Sequence, residues 1–232
     1  MVVPFVLLAL GAYLLGSVPA AYLAVKWSRG LDIRKVGTGK SGASNVLRAA
    51  GKRLAIPVAI FDIGKGALAV WVAQLTGLNT SQQVMVGLMA VIGHNWSVFL
   101  KFGGGGRGVF ATLGMVAVLS WKLALVVLFI AYMWVLIKQV ALGVAFGVFL
   151  AFLAMPLLVW FLPEFFNIQD RVAVTLGMVA IALIAFTKRL IAPKSDLAKS
   201  TPWRTILLNR LLFDRDIGDM RLWVRNGAAA NK

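Results

Sequence analysis

Long apolar runs alternate with short polar, basic stretches along this chain. A spanning helix needs about 20 mostly apolar residues, and the runs near 2–26, 54–77, 82–100, 139–162 and 171–191 meet that length. Residues 108–137 are apolar throughout except at Trp121–Lys122, which predicts two short helices folded as a hairpin. The pattern describes an all-α polytopic membrane bundle of about seven transmembrane helices over residues 1–192. Residues 193–232 form a polar, basic tail with Pro193 and Pro202 as breakers. Within it, Trp203 to Trp223 mixes Trp, Ile, Leu and Phe with arginines, which suits an amphipathic helix lying on anionic lipid. No internal repeat of the transporter kind stands out.

Lys and Arg favour the cytoplasmic side of a membrane. With the N-terminus outside, 21 of the 24 basic residues fall on the inner side, ten of them from Lys188 onward. The outer side keeps Lys122 and Arg171, while Lys65 lies within the second span. This places the C-terminus in the cytoplasm and both glycine-rich basic loops, Gly37 to Arg48 and Gly103 to Arg107, on one cytoplasmic face.

Composition agrees: 60% of residues are apolar and the mean hydropathy is +0.87, well above a soluble domain. The N-terminal run lacks a basic n-region, so a cleaved signal peptide is not expected. Absence of cysteine excludes disulfides and thiol nucleophiles, and a single histidine excludes a zinc site built on several. The net charge of +16 sits in the connections between spans, so it points to a cytoplasmic leaflet and anionic substrates rather than nucleic acid.

Gly103 to Gly106, followed by Arg107, allow backbone N–H groups to approach an anion beside a fixed positive charge. The other reading is a flexible turn. In the first loop Gly39-Lys40-Ser41 invites a phosphate-loop reading, which fails because Arg34 stands where a glycine is required and no strand precedes. What remains is a loop dense in hydroxyls (Thr38, Ser41, Ser44), the amide of Asn45, and the cations Lys40 and Arg48. Arg48 can grip a phosphate bidentately while its neighbours bond the other oxygens. A solvated positive-inside loop is the plainer alternative. Asp62 and Lys65, three apart in the second span, face the same way. They either compensate each other or offer Lys65 to an anion. His94 either braces its loop or moves a proton, as imidazole does near neutral pH.

Together these residues resemble the bacterial acyl-phosphate:glycerol-3-phosphate acyltransferases, membrane enzymes that make lysophosphatidic acid. That family's Gly-Ser-x-Pro stands here as Gly16-Ser17-Val18-Pro19, and its Asp-Ile-Arg as Asp32-Ile33-Arg34. Its Gly-Ser-Gly-Asn-x-Gly-Ala-x-Asn-x-x-Arg is matched from Gly37 to Arg48, and its Asp-x-x-Lys-Gly from Asp62 to Gly66. Its Gly-His and Gly-Gly-Lys-Gly-Val-Ala-Thr appear as Gly93-His94 and as Gly105 to Thr112, and the similarity holds over roughly residues 11–115. Thr38 replaces a serine, Lys40 an asparagine and Arg107 a lysine. The third motif, His-Arg-x-Asn-Ile-x-Arg-Leu-x-x-Gly-x-Glu, is worn. Lys188-Arg189-Leu190 lies at its expected place, and Arg210 to Asp216 echoes its ending.

The resemblance implies acyl transfer from acyl phosphate to glycerol 3-phosphate, the first acylation of phospholipid synthesis, at the cytoplasmic face of the bacterial inner membrane. It implies membrane lipid as surroundings, the soluble acyl-phosphate synthase as a partner, and no cofactor, since an acyl phosphate is already an activated mixed anhydride. Thr38, Arg48 and His94 are the expected catalytic residues. Lys40, Ser41, Asn45, Lys65, Gly104, Gly105, Gly106 and Arg107 are the expected binding residues, with Asn209 and Arg210 standing in for the third motif. Substrate phosphate, with a second pKa near 6, competes with His94 for the role of base. Two other readings remain open: a transporter for an organic anion or phosphate, and a non-catalytic relative that binds acyl phosphate or lipid. One-sided charge argues against the transporter.

Overall fold

The computed structural model describes residues 2–36, 39–136, 143–191 and 198–218. All regular structure among these residues is helical: α1 (Val2–Ser17), α2 (Ala20–Arg29), α3 (Ala43–Ala50), α4 (Lys52–Leu75), α5 (Thr80–Asn95), α6 (Val109–Leu119), α7 (Trp121–Leu136), α8 (Gly143–Phe161), α9 (Arg171–Leu190) and α10 (Trp203–Phe213). Five segments are long and apolar enough to cross a membrane: Val2–Arg29, Lys52–Leu75, Thr80–Leu100, Val144–Phe161 and Arg171–Leu190. Helices α6 and α7 are apolar but shorter, and they form the expected hairpin. At 11 residues, α6 reaches only about 16 Å, half of a bilayer core. Ser120 closes the hairpin: its hydroxyl donates to the Phe166 carbonyl at 2.7 Å and accepts from the Leu123 N–H.

The first run is not one helix as the hydropathy pattern suggests. Pro19 has no N–H to continue α1, and it pushes Val18 out of the α region, so the chain breaks at Val18–Pro19 and restarts as α2. The third run also ends early, at Asn95, and a short 3₁₀ turn over Val98–Leu100 follows.

Helix α1 packs on α5, and α4 on α6, at unusually close range. A Cβ on Gly16 would sit 2.2 Å from the Ala90 carbonyl oxygen, and one on Gly66 would sit 1.9 Å from that of Ala111. Small residues that let helix backbones approach are the usual device where lipid offers no hydrophobic drive between helices. Around these contacts α5, α6, α7, α8 and α9 share one apolar core, which includes Met115, Met155 and Met178. A second cluster, built on Val25, Ile33, Val46 and Val58, fixes α2, α3 and the first loop to α4. Leu7, Leu14, Leu75, Phe129, Phe161 and Leu183 point outward and are at least half exposed. That is a surface for lipid, not water.

Helix α10 packs against α8 and α9. It ends at Phe213, ten residues before the expected Trp223, which with Arg221 lies outside the described residues. Trp203 and Leu207 are exposed, as a membrane-leaning face requires, whereas Leu211 is half-buried against the bundle.

Candidate active site

The break after α1 leaves the last carbonyls of that helix without intrahelical partners. Lys65 from α4 supplies one, its Nζ donating to the Gly16 carbonyl at 2.9 Å. The Ser97 hydroxyl supplies another by donating to the Ser17 carbonyl. The same Lys65 Nζ lies 2.8 Å from Asp62 Oδ1, and His94 Nδ1 lies 3.4 Å from that oxygen. Asp62 and Lys65 are 2% and 3% exposed, so neither charge could persist there without its partner. The lysine closes a helix end and compensates a carboxylate. That carboxylate in turn sits behind the imidazole.

The two glycine-rich loops, far apart in sequence, meet. Ser41 donates both its backbone N–H and its hydroxyl to the Gly104 carbonyl. The glycine run lies flat against the end of α5: a Cβ on Gly105 would come 2.1 Å from the Asn95 carbonyl oxygen, and one on Gly106 2.0 Å from His94 Nε2. The Gly106 N–H donates to the His94 carbonyl at 3.2 Å. Glycine is therefore needed for close approach to the histidine, and the Gly106 amide is committed to protein.

Between the loops, the ends of α3, α6 and α9, and the turn after α10 lies a cavity of about 200 Å³. Lys40, Arg48, Arg107, Arg189 and Arg215 reach it, together with Asp62, His94, Gly106 and Asp214. Asp214 is the hub of the cations. Lys40 Nζ lies 3.2 Å from its Oδ1, Arg107 Nε donates to Oδ2 at 3.1 Å and a second Arg107 nitrogen pairs with Oδ1. Arg107 also donates to the Lys188 carbonyl. Burial alone would raise the Asp214 carboxyl, but Lys40, Arg107 and Arg189 outweigh it and hold the group below the usual carboxylate range. Burial, reinforced by Arg107 and Arg189 and opposed by Asp214, lowers Lys40 to about 8.

A second, apolar cavity of about 40 Å³ lies beside the first, with Val109, Phe110, Tyr132 and Val148 in the wall of both. It runs between α6, α7 and α8 past Leu128, Ala151 and Phe152.

A protein-family model described as "Glycerol-3-phosphate acyltransferase" matches residues 6–192. The chain belongs to the glycerol-3-phosphate acyltransferase family. A relative named glycerol-3-phosphate acyltransferase 5, from Dehalococcoides mccartyi, is 41% identical over 98% of this chain and 96% of its own length. Glycerol-3-phosphate acyltransferase 1 of Deinococcus radiodurans is 49% identical over 60% of this chain and 70% of its own. Among solved structures, the glycerol 3-phosphate form of PlsY (YgiH), an integral membrane glycerol 3-phosphate acyltransferase, superposes with a TM-score of 0.71. It is 28% identical, with 96% of this chain and 98% of that chain covered. The lysophosphatidic acid form of the same enzyme gives a TM-score of 0.70 at 26% identity.

For a glycerol-3-phosphate acyltransferase the placement of the expected residues is uneven. Arg48, His94, Lys40, Gly106 and Arg107 come together on the cavity wall, while Thr38 lies outside the described residues. Ser41 spends its hydroxyl on Gly104, and Asn45, fully buried, donates to the carbonyls of Ile33, Val36 and Lys40, so both brace the loop. Gly104 and Gly105 back the cavity without lining it. Lys65 is held by Asp62 and Gly16, away from the anion-facing wall. Asn209 and Arg210 also stand off the wall. Asn209 donates to the Asp216 carbonyl, and Arg210 bonds the Asp216 carboxylate at 2.6 Å and the Leu190 carbonyl at 2.8 Å, which anchors α10. What the tail brings to the cavity is Asp214 and Arg215, with Arg189 from the end of α9. The worn motif contained these residues, but nothing in its spacing said which of them turn inward.

Proposed function

We infer that this chain transfers a fatty acyl group to a hydroxyl of glycerol 3-phosphate, giving 1-acyl-glycerol 3-phosphate. The donor is acyl phosphate and the leaving group inorganic phosphate. The observation that carries this reading is the junction of two cavities. One is walled by five cations and suits phosphate. The other is apolar, shares a wall with it and suits a fatty chain. A reaction between two phosphorylated substrates, one of them acylated, needs both.

Positioning and charge stabilisation carry most of such a reaction, because the donor is already activated. The acceptor hydroxyl attacks the acyl carbon, the bond from that carbon to the phosphate oxygen breaks, and the hydroxyl proton passes to phosphate. Arg48 and Lys40 of the first loop bind one phosphate. Arg107, with Arg189 and Arg215 nearby, binds the other. Thr38 adds a hydroxyl to the first loop. His94, oriented by Asp62 through Nδ1, presents Nε2 beside Gly106 and is a second proton acceptor, a role the 3.4 Å Asp62 contact favours. Chain length is set by α6, α7 and α8 around Leu128 and Ala151.

The proposed membrane placement has seven crossings, with the N-terminus outside and the cation cavity and C-terminus in the cytoplasm of a bacterial inner membrane. The short α6 then begins below the cytoplasmic surface, so the glycine loop dips into the bilayer and brings the cavity to the depth of the acyl groove. Residues 1–192 form the catalytic bundle, and the tail from 193 docks on it through α10 while Trp203 and Leu207 meet lipid. A soluble acyl-phosphate synthase would deliver the donor from the same side.

The test is direct. Purified protein in detergent with palmitoyl phosphate and glycerol 3-phosphate should release phosphate and lysophosphatidate in equal amounts. Neither product above the rate without protein would leave the binding or transport readings in its place, and phosphate release with free fatty acid instead of lysophosphatidate would make the chain an acyl-phosphate hydrolase.

A further inference from the structure

Asp214 is the one carboxylate on the cavity wall that answers the cations, since Asp62 is taken by Lys65 and His94. Lys40, Arg107 and Arg189 converge on it from the first loop, the second loop and the end of α9. Its two oxygens receive the Arg107 fork and the Lys40 ammonium, the bonds these groups would offer a phosphate. We propose that Asp214 is a built-in anion that stands in for substrate phosphate, and that the turn carrying it is a latch which a phosphate must displace.

The local chain supports such a latch. Asp214 is the residue just past α10, in the left-handed conformation with φ +56°, which aspartate tolerates better than most residues. Its side chain keeps 23% of its surface exposed, and residues 211–215 and 217 are only half-buried. Helix α10 is held independently, by Arg210 on the Leu190 carbonyl and by Arg189 on the Leu211 carbonyl. Past the turn the buried Asp216 is pinned to α10 by Arg210 and Asn209, so what can move is the short stretch at Asp214 and Arg215, while the helix stays docked. A phosphate monoester carries close to two negative charges at neutral pH and more acceptor oxygens than a carboxylate, so it outcompetes Asp214 for the same cations. With the carboxylate in place, the cations are not left facing one another across a site beside lipid.

This inference rests on the acyltransferase reading for the identity of the phosphate, and two measurements separate them. Asp214→Asn keeps the shape and removes the charge. Its KM for glycerol 3-phosphate and its inhibition constant for inorganic phosphate should both fall, by about fivefold or more. Because the chain contains no cysteine, Ile217→Cys gives a single reporter on the turn. Inorganic phosphate should speed its reaction with a hydrophilic maleimide at least threefold. In Ile217→Cys/Asp214→Asn the rate should already be high and indifferent to phosphate. A rise in both constants would make Asp214 an organiser of the cations and overturn the latch, as would unchanged constants or labelling indifferent to phosphate in the presence of Asp214. Normal lysophosphatidate synthesis with indifferent labelling sinks the latch alone. Labelling that responds to phosphate in a protein making no lysophosphatidate sinks the acyltransferase reading alone.

Discussion

Lys65→Met should destabilise the protein strongly and reveal the lysine as a structural group. In the native structure one ammonium serves two acceptors inside the bundle, the Gly16 carbonyl at 2.9 Å and Asp62 at 2.8 Å. Methionine matches its length and removes both interactions. Breaking one side of a buried ion pair costs about 3–5 kcal/mol, because the remaining charge is left uncompensated. A buried carbonyl stripped of its donor adds about 1–3 kcal/mol. Loss of the lysine's own desolvation penalty offsets part of this. A net cost of about 3–5 kcal/mol should lower the unfolding midpoint in detergent by on the order of 10 °C for a chain of this size.

The companion variant makes the reasoning testable. Lys65→Met/Asp62→Asn removes the stranded charge and leaves only the Gly16 carbonyl unanswered. It should be more stable than Lys65→Met by about 2 kcal/mol, and its cost should fall short of the sum of the two single costs, the coupling that a double-mutant cycle measures. Differential scanning fluorimetry on both variants and on Asp62→Asn supplies the data. If Lys65→Met melts like the native protein but needs far more glycerol 3-phosphate to turn over, the lysine belongs to the anion site and the structural account is wrong.

Arg107→Lys keeps the charge but loses the fork on Asp214, and Arg107→Ala loses both. The order of kcat/KM should be native, then Lys, then Ala, with the alanine form down by about 2 kcal/mol, or roughly thirtyfold; equal rates would reduce the glycine loop to a connector. Lys40, lowered to about 8, should lose its proton between pH 7 and 9, so KM for glycerol 3-phosphate should climb about tenfold by pH 9 although the substrate is by then fully ionised. Because its folded pKa lies below the unfolded one, the same group makes stability rise over pH 8 to 10.5 while binding weakens; Lys40→Arg should flatten the KM limb, and an unchanged limb would exonerate the lysine. His94→Gln should cost at most about tenfold in kcat if phosphate takes the proton, whereas a loss of 10²–10⁴ would assign general base catalysis to the imidazole. Ala151→Leu, which narrows the apolar groove, should raise the ratio of kcat/KM for lauroyl over palmitoyl phosphate; an unchanged ratio would place the chain elsewhere.

Much of the site could be read from sequence because its determinants are local. The loop that ends at Arg48 and the glycine run before Arg107 carry their residue types in order, and one-sided charge put them at one end of the bundle. The break at Pro19 was also local, yet hydropathy averages over it, so the first run read as continuous. Partnering was not local. Whether Lys65 answers a substrate or the Gly16 carbonyl depends on where α1 stops, 49 residues away. Asn45 looked like a ligand because its amide is polar in a polar loop, but folding turned it onto three backbone carbonyls. The glycines looked like an anion cradle, but the Gly106 N–H is spent on the His94 carbonyl, and what demands glycine at 105 and 106 is that Asn95 and His94 leave no room for a side chain.

The C-terminal segment shows the limit most clearly. Arg210 was the obvious heir of a worn motif, and it is buried at 2% exposure in contact with Asp216 and Leu190. Asp214, an acidic residue in a strongly basic chain, stood inside the same worn stretch with nothing to single it out. Yet the contact it makes with Lys40 spans 174 positions and ties the first loop to the last described turn. Five cations in one cavity repel one another, and the repulsion grows beside lipid where the dielectric is low. A fold that gathers them must therefore hold an anion among them, supplied either by the substrate or by the chain. The position of that anion is a property of the assembled bundle. A search for excess positive charge finds the cations and passes over the one residue that lets them stand together.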